Sequence, residues 1–481
     1  MRTSLLPATA VLLLAAGIAS AQAPIDLPSM GEPADQTLSP IEESKIGASV
    51  VRQLRQHGLM LDDPELAEYL RDLGRRLASY GGAQPAGFEF FFIRDHRINA
   101  FALPGGYIGI NAGLLLTTRN ESELAGVLSH EVAHVTQRHI ARQLEATQTA
   151  NLATMAALLV ALIASGGSGD LAQAALTLGI SGIQQRQINF TRGHELEADR
   201  VGIRTLAAAG YDPDGMASFF QRMEEQTRLY GDAVPEILRT HPVNVTRITE
   251  ARARAAGYPK APPRSENEYQ LMQARLRAVG SQQATEALSY FQGRTREGGG
   301  TEADRYGLGL ALLRSGRPEE ARKQFEQLLQ KQPDQLHYQL ELARAQLSGK
   351  RPREAMPQLE RLNARFPHYL PAAAVYAEAL LRFKRPAEAR RVILAGRDSL
   401  DGSLPDMHRL LAVAAQDLGW KAEALFRMAE YHHLQGNFSA AMDQLEAAQR
   451  MPDLNPNDKA RIEAQLESYR KEAPTEAAQR R

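Results

Sequence analysis

The chain has 481 residues, with 56 lysines and arginines balanced by 56 aspartates and glutamates, and it contains no cysteine. The balanced charge argues against a nucleic-acid partner, and the lack of cysteine excludes disulfides and a lipid anchor on cysteine. A chain of this length can hold two or more domains with substantial cores.

The N-terminus has the pattern of a secretory signal peptide. Arg2 is followed by an apolar stretch at 11–18, and small residues offer cleavage near residue 21 or residue 23. We therefore expect residues 1–23 to be removed and the mature chain to be exported.

Two short strands are predicted in the next part of the chain. The run 88–93 is apolar and aromatic, and residues 107–110 follow a Pro-Gly-Gly turn. An edge strand beside a catalytic site can bind an extended substrate by adding it to the sheet. The alternative is that these strands only form the hydrophobic floor of the domain.

A helix with the sequence His-Glu-Val-Ala-His is the most informative element. Asn120 provides a cap with Glu123 three positions later, and apolar residues follow at helical spacing. His130 and His134 are four residues apart on one helical face, so both rings can reach one metal ion. Glu131 then lies beside the metal, where it can take a proton from an attacking water. The pattern predicts a zinc-dependent protease, and a helix with two histidines and no metal is the alternative.

The segment that follows this helix is uncharged. Residues 146–169 contain no charged side chain, and 152–164 is almost wholly apolar before a glycine-rich break. The segment is too short for a membrane span, which needs about 20 apolar residues. We expect a buried helix; a mobile lid or a loop in peripheral contact with a membrane is the alternative.

A zinc site of this kind needs a third protein ligand and a position left open for water. Glu195 and Asp199 are four residues apart, so their carboxylates share one helical face. We predict that Glu195 binds the zinc and that Asp199 accepts the spare ring N–H of a ligand histidine. Glu197 points away from both, so a solvated surface charge is expected there. His139 and His194 are also expected at the surface.

His241 is a further candidate for the cleft. It precedes a proline, where helical geometry is disfavoured, so we expect it in a loop or at the entry to the helix around Arg247. There it would act in catalysis by stabilising the oxyanion, or approach the zinc as an extra ligand that holds the enzyme idle. A purely structural histidine is the alternative.

These segments together resemble the gluzincin peptidases related to the CaaX prenyl proteases and the membrane heat-shock protease HtpX. The shared motifs are Asn-Ala-Phe-Ala-x-Pro-Gly-Gly, HExxH, a later ExxxD and a Thr-His-Pro followed by arginine, found at 99–106, 130–134, 195–199 and 240–242 with Arg247. The resemblance covers roughly residues 40–255. It implies an α+β zinc metalloprotease domain, mainly α with a small β-sheet.

A repeat is visible beyond the glycine- and proline-rich segment at 257–263. Equivalent alanines recur every 34 residues, at Ala287, Ala321, Ala355 and Ala389. This is the period of tetratricopeptide helix pairs, which stack into a curved solenoid whose inner surface binds peptides or proteins. Ala441 marks a further unit after the register shifts near 399–405. The alternative to partner binding is that the solenoid only packs on the protease and restricts its entrance.

The predicted domain order has five parts. They are a signal peptide at 1–23, a zinc metalloprotease domain at 24–256, a linker at 257–265, an α-helical repeat domain at 266–470 and a disordered tail at 471–481.

This order of parts resembles periplasmic quality-control proteases that act on outer-membrane proteins during assembly. The resemblance implies a periplasmic zinc endopeptidase with one Zn²⁺ per chain. Its implied partners are unfolded or misassembled outer-membrane proteins and the β-barrel assembly machinery. The alternative is a chaperone-like assembly factor whose metal site is mostly closed and whose repeats do the main work.

Overall fold

The computed structural model describes residues 38–82, 87–145, 152–165, 192–230, 235–262, 264–396, 404–452 and 454–473. These residues are mainly helical, with one small sheet, which confirms the predicted fold class. Several predicted segments lie outside the described residues. They are the signal peptide, the glycine-rich break after residue 165, most of the repeat register shift at 399–405 and most of the tail at 471–481. The limits of the five predicted parts stay a prediction.

The helices of the N-terminal half are α1 (Pro40–Gln56), α2 (Pro64–Tyr80), α3 (Ala112–Thr117), α4 (Glu121–Thr136), α5 (His139–Glu145), α6 (Leu152–Ser165), α7 (Arg192–Ala208), α8 (Gly215–Tyr230), α9 (Glu236–Thr240) and α10 (Val245–Ala255). Polar side chains set several of their starts. Ser39 begins α1 with a capping box, and Asp63 and Asn244 accept backbone N–H bonds at the starts of α2 and α10.

Three strands form the sheet: β1 (Glu89–Ile93), β2 (Ala100–Ala102) and β3 (Tyr107–Asn111), in the order β1-β3-β2. β1 is parallel to β3, and β2 is antiparallel to it. Both predicted strands are therefore present. Backbone hydrogen bonds from the segment 59–61 cover the outer side of β1. β2 is the strand at the opposite edge, and it lies against α4.

α4 and α7 approach each other closely. A Cβ placed on Gly202 of α7 would lie 3.1 Å from the backbone nitrogen of His130. A Cβ on Gly126 of α4 would lie 2.7 Å from the backbone of Met216 at the start of α8. Glycine is needed at both positions because a side chain would push the helices apart. The pairing carries residues of α7 to the face of α4 that bears the two histidines.

The apolar helix α6 packs against α1. Ala156, Leu159 and Val160 are buried in one cluster with Ile46 and Val50. The prediction of a buried helix is therefore confirmed for this face of α6. The flanking segments 146–151 and 166–191 lie outside the described residues. Within the part of the chain that the structure describes, no helix is both long and apolar enough to cross a membrane.

The C-terminal half is a series of helix pairs, and α11 (Asn267–Gly280) begins it. The others are α12 (Ala284–Arg294), α13 (Glu302–Arg314), α14 (Pro318–Lys331), α15 (Leu336–Ser348), α16 (Ala355–Arg365), α17 (Leu370–Arg382), α18 (Pro386–Ala395), α19 (Pro405–Asp417), α20 (Lys421–Leu434), α21 (Phe438–Gln449) and α22 (Pro456–Glu472). The repeating alanines are buried at the helix crossings. The 34-residue pattern therefore marks packing positions.

The repeats pack on the N-terminal half. α11 and α17 contact α2, and α20 contacts α1. The Tyr269 hydroxyl donates to the carbonyl of Thr118 at 2.6 Å, and Arg55 donates to the carbonyl of Leu434 at 3.1 Å. The predicted packing of the solenoid on the protease domain is therefore confirmed. Partner binding by the repeats and restriction of the entrance stay predictions.

A buried group of charges joins the two halves. We call it the interface cluster, and it consists of Asp63, Glu65, Arg275, His337, Glu341 and Arg344. Nη1 of Arg275 lies 2.9 Å from Glu65 and 2.8 Å from Glu341, and its Nε donates to Asp63 at 2.7 Å. His337 Nδ1 lies 2.9 Å from the other oxygen of Glu65. The start of α2 is thereby tied to α11 and α15.

Candidate metal centre

The two histidines of the HExxH motif converge as predicted. Asn120 caps α4 by accepting the N–H of Glu123 at 2.9 Å. His130 and His134 follow on one face of the helix, and both are buried. Their Nε2 atoms lie 3.0 Å apart. Both nitrogens therefore point at a single position beside the helix.

Glu195 reaches the same position from α7. Its carboxylate oxygens lie 3.5 Å from His130 Nε2 and 3.5 Å from His134 Nε2. Together with His241, these residues present four buried ligand atoms that all lie within 4.8 Å of one another. The first three were predicted as metal ligands from their spacing alone.

Asp199 lies one turn after Glu195 on α7. Its Oδ1 is 3.0 Å from Nδ1 of His130, which is the contact predicted for it. Arg247 of α10 holds this carboxylate with two bonds of 2.7 and 2.8 Å, and it also lies 2.8 Å from Glu195. The sequence singled out Arg247 only as part of a motif, because nothing local shows that α10 packs beside α7.

His241 lies in a loop between α9 and α10, as expected. Its Nδ1 is 3.1 Å from Glu195 and 3.4 Å from His130 Nε2. The short helix α9 is anchored beside β2, because Asn99 donates to Glu236 at 3.0 Å. The residue before the edge strand is thus joined to the short helix that precedes His241.

The chain is similar to known protein families in both of its halves. Residues 64–255 match the model of peptidase family M48. The chain contains an M48 peptidase domain. Residues 306–368 and 346–414 match tetratricopeptide repeat models, so the helix pairs within 306–414 are tetratricopeptide repeats.

Two bacterial relatives align with this chain over more residues than the M48 match. The beta-barrel assembly-enhancing protease of Escherichia coli K12 is 37% identical over 322 residues, and the Vibrio cholerae relative that carries this name is 39% identical over 318 residues. Both alignments cover 66% of this chain, but only 65% and 66% of the relatives, just under two thirds of their length. The mitochondrial metalloendopeptidase OMA1 of Schizosaccharomyces pombe is 31% identical over 180 residues, 37% of this chain and 50% of that protein.

Glu131 has an unusual environment in the M48 domain. Its side chain is fully buried, and within the described residues no side chain donates a hydrogen bond of standard geometry to its carboxylate. Nε2 of His241 lies 3.7 Å from one of them. Burial raises the pKa of Glu131 above its usual range. A raised pKa makes a carboxylate a stronger proton acceptor.

The charges around the two histidines favour a bound cation. Burial alone would lower the pKa of His130, but Asp199 and Glu195 raise it to about 9. Burial and the neighbouring rings hold the pKa of His134 well below its usual value, so that ring is neutral. Imidazole nitrogens and a carboxylate are the ligand atoms that zinc prefers in sites of this type. The residues of the M48 domain therefore fit a divalent metal ion.

The expectation of a surface position was wrong for His139. Its side chain is fully buried, and its Nδ1 lies 2.8 Å from Nδ1 of His134. Glu197 is partly exposed as expected, but it lies 3.2 Å from Nε2 of His139 and accepts a bond from Arg142 at 3.1 Å. The short helix α5 turns back along α4, and this turn is not visible in the spacing of the motif.

Proposed function

We propose that this chain is a zinc-dependent endopeptidase of the periplasm that acts on outer-membrane proteins during their assembly. The convergence of four buried ligand atoms beside Glu131 is the observation that carries the proposal. The M48 domain and the assembly-enhancing protease name of the two bacterial relatives support it. The signal-peptide pattern at 1–23 supports export.

In this proposal His130, His134 and Glu195 hold one Zn²⁺ per chain. A catalytic zinc has three protein ligands and keeps its fourth position for water or substrate. Asp199 holds the ring of His130 in the tautomer that leaves Nε2 free to bind, and Arg247 holds Asp199. Lewis-acid activation of a water and of the substrate carbonyl is the chemistry that the metal supplies when bound.

Glu131 is the catalytic base. It takes a proton from the attacking water and passes that proton to the amine that leaves when the peptide bond breaks. Its burial supports this role, because a raised pKa lets the carboxylate bind the proton and give it up again. The oxygens of Glu131 are not held by other side chains, so they are available to a water in the cleft.

Of the two roles predicted for His241, the distances favour the extra ligand. Its Nδ1 lies among the nitrogen and carboxylate atoms that would hold the metal, at 3.1 Å from Glu195. A fourth protein ligand would close a tetrahedral zinc site and leave no position for water. The described conformation is then an idle one, and His241 has to move before cleavage begins.

Substrate would enter as an extended segment beside β2. This strand forms the edge of the sheet next to α4, so a peptide paired with it would lie close to Glu131. The bond between Asn99 and Glu236 links the residue before this strand to the short helix that precedes the loop of His241. Pairing of a substrate with β2 is therefore positioned to disturb that loop.

Unfolded or misassembled outer-membrane proteins are the proposed substrates, and the β-barrel assembly machinery is the proposed partner of the repeats. The alternative function is a chaperone-like assembly factor that works mainly by protein binding. The position of His241 is the observation that favours this alternative, because a closed site does not cleave.

The deciding experiment measures metal content and proteolysis together. The purified mature chain should contain one zinc, and it should degrade an unfolded outer-membrane porin or casein. Glu131→Gln should keep the zinc and lose cleavage by a factor of about 10² to 10⁴. Absence of zinc, or equal cleavage by the variant, would refute the enzyme. Full rescue of outer-membrane assembly in cells by Glu131→Gln would favour the chaperone-like alternative.

A further inference from the structure

The two histidines of the HExxH motif are held in different ways. Nδ1 of His130 faces a carboxylate, since it lies 3.0 Å from Asp199. The equivalent nitrogen of His134 is 2.8 Å from a ring nitrogen of His139. A contact between two ring nitrogens is a hydrogen bond only if one of them carries a proton and the other does not. The tautomers of both rings are therefore linked.

The direction of this bond follows from the position of His134. Its Nε2 faces the ligand cluster, 3.0 Å from Nε2 of His130 and 3.5 Å from Glu195. A nitrogen that binds a metal ion has to offer its lone pair, so the ring proton lies on Nδ1. Nδ1 of His134 then donates, and Nδ1 of His139 accepts.

The acceptor role of His139 places its own proton on Nε2. That nitrogen lies 3.2 Å from Glu197, whose carboxylate accepts the bond. Arg142 donates to the same oxygen of Glu197 at 3.1 Å, which keeps the carboxylate in place. His134 therefore donates to His139, and His139 and Arg142 both donate to Glu197, so each of these donors has an acceptor.

The backbone before His139 adopts a conformation that requires support. Arg138 has a φ of 50°, in the left-handed region that residues with a Cβ rarely adopt. Its guanidinium donates to Glu43 at 2.7 Å and to the carbonyl of Leu38 at 2.9 Å. This turn returns the chain so that His139 faces His134. Residues held in such conformations cluster at functional sites.

We propose that His139 is a positioning residue of the metal centre, which fixes the tautomer and ring orientation of His134 and is itself fixed by Glu197. The inference rests on the proposed function, because it assigns His134 to a metal. It also implies that Nδ1 of His134 donates to an imidazole, whereas Nδ1 of His130 faces the carboxylate of Asp199.

Two substitutions at residue 139 separate hydrogen bonding from packing. His139→Phe keeps the ring volume and the stacking on His194, whose ring centre is 4.4 Å away, but it removes the acceptor. His139→Asn loses the ring, and its amide oxygen can occupy the place of Nδ1. Both are made in the Glu131→Gln background, so that zinc affinity is measured without proteolysis.

Zinc affinity is measured by competition with a chromogenic chelator, and the visible spectrum of the Co²⁺-loaded protein reports ligand geometry. His139→Phe should bind zinc about 10- to 100-fold more weakly, with an altered Co²⁺ spectrum. His139→Asn should stay within about threefold of the parent, because it keeps the hydrogen bond. Circular dichroism of each variant shows whether the fold is retained.

The outcomes distinguish the two proposals. If the Glu131→Gln parent binds no zinc, the proposed function fails and the inference fails with it. If the parent binds zinc and His139→Phe binds it equally well, only the positioning role is overturned. Weak binding by Asn with normal binding by Phe would also overturn it, since packing would then be the role of residue 139.

Discussion

The metal centre and the interface cluster are both buried groups of arginine, histidine and carboxylate side chains, yet their charges are arranged differently. In the interface cluster, three carboxylates of Asp63, Glu65 and Glu341 face Arg275, Arg344 and His337. In the metal centre, the guanidinium of Arg247 contacts Glu195 and Asp199, and the other partners of these two carboxylates among the residues that the structure describes are the rings of His130, His134 and His241. The interface cluster keeps its cations on protein groups, whereas in the metal centre the proton on His130 has to leave before its ring can bind a metal ion.

This difference separates a structural site from a functional site. Buried charges are costly unless opposite charges and hydrogen bonds accompany them. The interface cluster answers this requirement with protein groups, since two guanidiniums and a histidine ring face its carboxylates where the repeats pack on α2. In the metal centre a divalent cation can take the place of the proton on His130 beside Glu195 and Asp199, and among the described residues no side chain holds Glu131 with a hydrogen bond of standard geometry. The contrast can be tested by replacing one arginine at a time, first in the interface cluster and then in the metal centre.

The largest effect is expected from Arg275→Met. The change leaves Asp63, Glu65 and Glu341 buried around an apolar side chain, and breaking a buried pair in this way costs about 3–5 kcal/mol. Urea denaturation should show this loss of unfolding free energy equally with and without zinc. Arg317→Met, which removes an exposed pair with Glu320, is the control and should change stability by less than about 0.5 kcal/mol.

The corresponding change in the metal centre is Arg247→Met. It should also destabilise the apo protein, but added zinc should restore much of the loss, because a dication neutralises Asp199 and Glu195. Urea denaturation with and without zinc measures the restoration. The contrast between the two sites breaks down if zinc rescues Arg275→Met to the same extent, or if it fails to help Arg247→Met.

A pH-dependent effect is expected at the interface cluster. Burial alone would lower the pKa of His337, but Glu268 and Glu65 raise it to about 9, above the value of about 6.5 in an unfolded chain. The protonated ring therefore stabilises the fold fully below about pH 6.5, and this contribution is lost as the pH rises through 9. The loss is on the order of 3 kcal/mol.

His337→Gln removes this titration. Denaturation of the wild type between pH 6.5 and 9.5 should show falling stability, whereas the variant should lack this component of the slope. Equal slopes for both proteins would show that His337 is not charged at the interface. Zinc should leave the difference between the two proteins unchanged, because His337 lies in the interface cluster.

Removal of the metal is expected to lower the free energy of unfolding by no more than the loss expected from deprotonation of His337. Zinc that binds only the folded chain, at 100 times its dissociation constant, adds about 2.7 kcal/mol. A chelator should therefore lower the melting temperature of the wild type, measured by calorimetry, and zinc should restore it. His134→Ala should show no zinc-dependent shift. A shift of full size in that variant would place the stabilising metal elsewhere.

The smallest effect is expected from His241→Ala. If this ring closes the metal site, its removal should raise cleavage of casein several-fold, equivalent to about 1 kcal/mol in barrier height. His241→Ala combined with Glu131→Gln is the control and should be inactive. A hundredfold loss of cleavage by His241→Ala alone would favour the oxyanion role for this residue.

Much of the candidate site was predictable because its parts are local. The four-residue spacing of His130 and His134 places both rings on one helical face wherever the helix packs. The same reasoning applies to Glu195 and Asp199, and the cap at Asn120 marks where α4 begins. The 34-residue recurrence of buried alanines likewise required no knowledge of the fold.

The expectation for His139 was wrong because its surroundings are not local. Its burial depends on the left-handed turn at Arg138, which in turn depends on contacts with Glu43 nearly 100 residues earlier. The partners of Arg247 had no local signal either, since they lie on α7. Residues distant in the chain meet only when the core packs.

The sequence by itself determined the type of helix, the spacing of the ligands, the family resemblance and the repeat period. These properties follow from interactions between neighbours along the chain, which recur at 3.6 residues per turn in any helix. Only the tertiary structure decided that α7 reaches α4, that His241 enters the ligand cluster and that α2 packs against the repeats. Those contacts arise from burying many side chains at once, and no short stretch of sequence carries that information.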